Sequence, residues 1–165
     1  DPIIPTVRYS VFALKDRRDI RIERFSDMKR YQIGTTVDDA REAYLLTRGF
    51  SFDDLQRVSG ADSHRVNYEK LKRGRIELWP MPDAVMSYIV RDAGDDPRDM
   101  LRRVFSFSEL TASGYYLAAN KDMPDDMVQR IRAELARYQE MPEYEALLNE
   151  WGLGSEGVFA NQDIR

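Results

Sequence analysis

Gly114-Tyr115-Tyr116-Leu117-Ala118-Ala119-Asn120-Lys121-Asp122-Met123-Pro124-Asp125 is the stretch on which the reading of the fold turns. Its β-forming Tyr115 to Ala119 predict a strand. Pro124 suits the first position of a helix, where a missing N–H costs nothing. From there Val128, Ile131, Leu135 and Tyr138 recur at helical spacing and make one apolar stripe. A second helix opens at Pro142, carries Tyr144, Leu147, Leu148 and Trp151, and stops at Gly152. Residues 154–165 hold few apolar side chains and read as a surface arm. Two amphipathic helices in series need a surface to lie on.

Upstream, strand and helix alternate. Val7 to Leu14 reads as a strand with Val7, Tyr9, Val11 and Ala13 on one face and Phe12 and Leu14 on the other. Phe25-Ser26-Asp27-Met28-Lys29 makes a short helical turn capped by Ser26, and Tyr31 to Thr35 a buried strand. A helix follows Asp38-Asp39, where negative charge suits its N-terminus, and ends at Gly49. Asp54 to Val58 is a weak strand. A helix capped by Asp62 or Ser63 then presents Val66 and Leu71 and closes at Gly74. Ile76 to Met81 is a strand whose Pro80 and Pro82 mark its end, and Asp83 to Arg91 a helix with Ala84, Val85, Tyr88 and Ile89 inward. Arg103 to Phe107 is a further strand. This alternation predicts an α/β fold with a mostly parallel sheet and flanking helices.

Composition narrows the function. The chain has 165 residues, 42% hydrophobic and 33% charged, enough for a proper core. No apolar run approaches the roughly 18 residues of a membrane span. With 25 Lys and Arg against 29 Asp and Glu, the net charge of -4 argues against a nucleic-acid partner held through phosphates. The absence of Cys removes disulfides and thiol chemistry, and a single histidine, His64, disfavours a Ser-His arrangement or a His-built metal site. The pairs Asp53-Asp54, Asp95-Asp96 and Asp125-Asp126 sit at turns or helix starts, where adjacent carboxylates do not converge on an ion. No metal and no cofactor is expected. The run Lys70, Lys72, Arg73 and Arg75 complements a helix C-terminus as a solvated face.

Taken together, Tyr31-Gln32-Ile33-Gly34-Thr35-Thr36 feeding a helix, Lys70 to Leu78 leading into a strand, the Gly114 to Asp125 stretch, and Pro142-Glu143-Tyr144-Glu145-Ala146-Leu147-Leu148 with Trp151-Gly152-Leu153 resemble the type II periplasmic solute-binding proteins of ABC importers, the polar amino-acid group. The resemblance runs from about residue 5 to residue 153. It implies two α/β lobes joined by hinge strands. On that scheme residues 1–15 are the hinge strand leaving lobe one, and 16–113 are lobe two. Residues 114–153 are the return strand with the C-terminal helices of lobe one, and 154–165 a tail. The N-terminal part of lobe one is then missing. The opening Asp1-Pro2 fits a processed product or a cut piece, and the resemblance implies a precursor with a signal peptide and a periplasmic address. The uncovered stripe after Pro124 predicts self-association or folding back onto lobe two.

In such lobes ligands meet the carboxyl ends of the strands. Two loops qualify. In the first, Thr35 and Thr36 offer hydroxyls, while Asp38 and Asp39 stand where amino-acid binders place a Gly followed by Ser or Thr for the ligand carboxylate. Both acids would repel an anion; alternatively Asp38 is an N-cap and Asp39 a first-turn acid. In the second, Trp79 and Met81 form either an apolar wall or ordinary core. The family's ammonium-holding Asp falls by count on Pro82, leaving Asp83 as a cation partner or as a helix cap. His64, near a helix start, reads as exposed.

The resemblance implies a non-enzymatic protein that captures a small polar solute between its lobes and presents it to a membrane permease. The same fold serves as the extracytoplasmic input domain of receptors. A third reading is a lyase or dehydratase with Asp83 or Asp38 as base.

Overall fold

In the computed structural model, the structure describes residues 7–110, 114–151 and 153. The predicted tail at 154–165 and the helix stop at Gly152 lie outside them. Among the described residues are five strands: β1 (Tyr9–Leu14), β2 (Ile33–Thr36), β3 (Leu55–Val58), β4 (Trp79–Pro82) and β5 (Leu101–Ser106). Between and after them run α1 (Ala40–Thr47), α2 (Ser63–Lys72), α3 (Asp83–Asp92), the short α4 (Pro97–Met100), α5 (Asp125–Gln139) and α6 (Pro142–Glu150).

β1 lies between β4 and β5 and runs antiparallel to both, with Phe12 opposite Trp79 and Leu14 opposite Leu101. β2 pairs in parallel with β3. The two groups meet at one point, a parallel bridge between Ile33 and Leu78. β2, β3, β4 and β5 therefore share a direction, as the α/β reading expects, and β1 alone opposes them. The reason is local: between β1 and β2 the chain forms only a 3-10 turn (Phe25–Arg30), so no crossover helix returns it in the same direction.

The prolines decide where the sheet divides. Leu78 N donates to the Gln32 carbonyl and Gly34 N to the Leu78 carbonyl. Side-to-side alternation along the strand would send the N–H of residues 80 and 82 to that same β2 side. Both are proline and have none, so the ladder stops at Leu78. The residues facing the other way, Trp79 and Met81, keep their pairing with β1. The strand accordingly occupies Trp79–Pro82 and not the predicted Ile76 to Met81: the prolines end one ladder, not the strand.

Each face of β1 seeds a core. Val11 and Ala13 join Ile20, Met28, Ile33, Leu45 and Phe107, while Phe12 joins Tyr68, Leu71, Trp79, Met86 and Val90. A buried side chain of this size contributes about 1.5–3 kcal/mol. Two predicted faces shift. α3 buries Asp83, Met86, Ser87 and Val90 and leaves Tyr88 half-exposed; a hydrophobic reading passes over that face because two of its four residues are polar. α2 buries Ser63, Asn67, Tyr68 and Leu71, with Val66 outside.

The predicted strand at Tyr115 to Ala119 does not form. Tyr115 sits in an isolated bridge, and Tyr116 and Leu117 are exposed. The segment lies along α5 instead of beside a strand, and the two enclose a cleft of about 340 Å³ lined by Leu117, Val128, Ile131 and Leu135. No residue of α5 or α6 is buried. α6 touches α3 near its end, where Trp151 packs on Tyr88 with ring centroids 5.9 Å apart and Arg91 Nη1 donates to the Glu150 carbonyl at 3.2 Å. Among the described residues no helix is long and apolar enough to cross a membrane.

Candidate functional site

β2 delivers Thr35 and Thr36 to the carboxyl end of the sheet, and Val37 N closes the β3 ladder on the Val58 carbonyl. Asp38 then takes the left-handed conformation (φ 59°), the turn that lets α1 start immediately. Asp39, one residue after the predicted cap, is the N-cap, and its carboxylate accepts the Arg41 N–H at 2.8 Å. The loop is held from below by Glu42, a buried carboxylate that accepts from Asp38 N at 3.0 Å and from the Thr35 hydroxyl at 3.2 Å. The Arg57 guanidinium beside Glu42 holds its carboxyl below the usual range, against the opposing effect of burial.

Arg41 enters the gap that Pro80 leaves in the sheet. Its Nε and Nη2 each lie 2.5 Å from an Asp39 carboxylate oxygen. Its Nη1 reaches the Met81 sulfur at 2.5 Å and the Pro80 carbonyl at 3.5 Å. Burial pushes the Asp39 carboxyl up, but the hydrogen bonds and charge of Arg41 outweigh it and leave the group below its ordinary value. Beside the pair, the Thr36 hydroxyl lies 3.2 Å from both Ser63 Oγ and His64 Nδ1. Burial lowers the His64 pKa and Arg41 pushes it the same way, with Asp39 opposing them. A cavity of about 10 Å³ separates Arg41 from Asn67, whose buried Oδ1 has no hydrogen-bond partner among the described residues.

Asp83 stands at the next strand end. It is the first residue of α3, and the cap position falls to Pro82, which makes no side-chain cap. The carboxylate turns inward, accepts from Ser10 Oγ at 2.6 Å and pairs with Arg103 of β5. Burial raises its pKa, with Arg103 and Ser10 pulling the other way.

Of the residues singled out in the sequence, Thr35, Thr36, Asp38 and Asp39 gather in one loop. Trp79 and Met81 lie in the core, each 1% exposed, with Trp79 stacked on Tyr68. Asp83 is enclosed by Ser10 and Arg103. Arg41, Arg103 and His64 were not expected here. Arg41 reads as a surface residue of a first turn, and only its place two residues after an acid hints at the pair. His64 is half-buried against Thr36, not exposed. Tyr115, hydrogen-bonded to Tyr9, brings its segment to the start of β1, and burial pushes its phenol up to about 12. Among the described residues no group of three or more His, Cys, Asp or Glu is placed to hold a metal ion.

No protein-family model and no curated protein sequence matches the chain. Solved structures do. An arginine-specific periplasmic binding protein of Salmonella typhimurium shares 20% identity at a TM-score of 0.63, over 92% of this chain and 62% of that one. A histidine kinase sensor domain with similarity to periplasmic binding proteins shares 20% at 0.66, over 91% and 60%. An ancestral amino-acid-binding protein, a precursor of cyclohexadienyl dehydratase, shares 16% at 0.65, over 92% and 60%. This chain therefore spans about three fifths of the length of the structures it matches. Four strands in one direction, an opposing β1 between β4 and β5 and these matches give the chain the fold of the type II periplasmic binding proteins over about three fifths of their length.

Proposed function

We propose that the chain is one jaw of an extracytoplasmic solute-binding protein. Residues 16–113 form lobe two, β1 and the segment at Tyr115 are its connections to the other lobe, and α5 and α6 belong to that other lobe. The observation that carries this reading is the shape match over nearly the whole chain and only three fifths of its neighbours. The apolar stripe of Val128, Ile131 and Leu135, half-buried against the segment at Leu117, supports it, since such a stripe suits a helix that lies on a second sheet. A small polar solute is captured between the lobes at the Thr36–Asp39 loop, and closure presents the complex to the permease of an ABC transporter in the periplasm. Closure is driven by the solute's preference for the closed form, so one lobe by itself binds weakly.

The test is calorimetric titration of a panel of small polar solutes against this chain and against its full-length parent. Binding by the parent alone is the expected result; equal binding by both overturns the clamp. A second reading, the input domain of a signalling receptor, is favoured by the match to a kinase sensor domain. A membrane span followed by a signalling domain in the parent gene selects it, and neighbouring permease and ATPase genes select transport.

A further inference from the structure

The charges at the two strand ends are already spent inside the chain. The Asp39 carboxylate receives the Arg41 backbone N–H and two guanidinium nitrogens, and Arg41 is only 8% exposed. At the neighbouring strand end Asp83, 9% exposed, is committed to Arg103 and Ser10. A free helix N-terminus joined by a buried guanidinium is an arrangement that holds a carboxylate by charge, dipole and two-point hydrogen bonding. Here the carboxylate it holds belongs to the chain.

We infer that Asp39 is a built-in tenant of the anion cradle formed by Arg41 and the start of α1, and that the solute group met by this face therefore carries no carboxylate. The inference rests on the solute-binding reading and narrows its class of solute. An incoming carboxylate would have to displace Asp39 from its two-point contact with Arg41. It would also approach the exposed Asp38, where like charges about 4 Å apart repel by about 1 kcal/mol in water and several times that where water is excluded. A hydroxyl, amide or ammonium group meets neither obstacle, and the Thr36 hydroxyl and the His64 imidazole stand beside the loop as hydrogen-bonding partners.

The test is an NMR titration of the chain with sodium acetate, following the Ala40 and Arg41 amides and the Arg41 Nε–H. The wild-type chain is expected to show no saturable shift at these groups. Asp39→Ala opens the cradle and binds acetate at least about tenfold tighter, and Asp39→Ala with Arg41→Ala loses that gain. If removing the cap unfolds the protein, Asp39→Asn keeps a capping oxygen while dropping the charge and gives the same gain. Saturable acetate shifts at Arg41 in the wild type, or no gain in either single variant, overturn the inference. Should the full-length parent, with Asp39 intact, seat a solute carboxylate on Arg41, the inference fails while the solute-binding reading stands. A parent that binds no solute sinks that reading, and the acetate result on the Asp39 variants still decides this one.

Discussion

Arg57 reaches from β3 to Glu42 on α1, with Nε 2.7 Å from Oε1 and Nη2 3.1 Å from Oε2, a two-point grip on a carboxylate whose side chain is 3% exposed. The same carboxylate takes the Thr35 hydroxyl and the Asp38 N–H, so one side chain fixes the end of β2, the loop and the first turns of α1. Glu42→Ala leaves Arg57 and two donors without their acceptor. A loss of about 3 kcal/mol is expected, read by urea denaturation.

The pH dependence of stability has two opposing contributions. Glu42 is depressed in the fold, so its contribution is complete above its unfolded pKa of about 4.3 and is lost as pH falls through the lower folded value. Asp83 is raised, so its contribution declines as pH climbs from its ordinary value through the raised one. Melting temperatures taken downward from about pH 6 should fall less steeply below about pH 4.3 in Glu42→Gln than in the wild type.

Removing the Asp83 carboxylate takes from the buried Arg103 guanidinium its ion-pair partner. Asp83→Ala is expected to cost about 3–5 kcal/mol, while Asp83→Leu combined with Arg103→Met recovers most of the loss because both charges leave together. A denaturation cycle over the wild type, each single variant and the double variant measures it.

Asp38 bears a positive φ that a branched side chain resists. Asp38→Val should cost about 1–2 kcal/mol, whereas Asp38→Gly should not destabilise. Thermal unfolding of the two variants checks the sign.

Gly34 has no room for a side chain. A Cβ there would press on Ile76 Cδ1 and stand 2.9 Å from Asn67 Oδ1. Gly34→Ala is expected to cost about 1–3 kcal/mol through overpacking, again by denaturant titration.

The two faces of β1 were legible in the sequence because both are apolar and alternate cleanly. The buried face of α3 was not, since Asp83 and Ser87 belong to it and polar residues enter a core only through partners that sequence spacing does not reveal, here Ser10 and Arg103 from other strands. The stripe of α5 was read correctly as apolar, yet it is half-buried against the segment at Leu117 and not against a sheet, for periodicity names a face and not what sits on it. The loop at Thr36–Asp39 was located from the order of elements. Its ion pair was missed because Arg41 depends on a gap made by prolines far along the chain, which sequence reading takes only as the end of a strand.

Those prolines leave the β2–β3 pair tied to the rest of the sheet by one short junction, the Ile33–Leu78 bridge with the hydrogen bonds of Glu77 and Leu78 to Gln32 and of Gly34 to Leu78. A sheet joined so narrowly yields along that seam first. The β2–β3–α1 flap, carrying the whole Thr36–Asp39 loop, can then unzip as one piece while β1 and its two neighbours stay zipped. Amide protons of β2 and β3 should accordingly trade with solvent together, and well before those of β1.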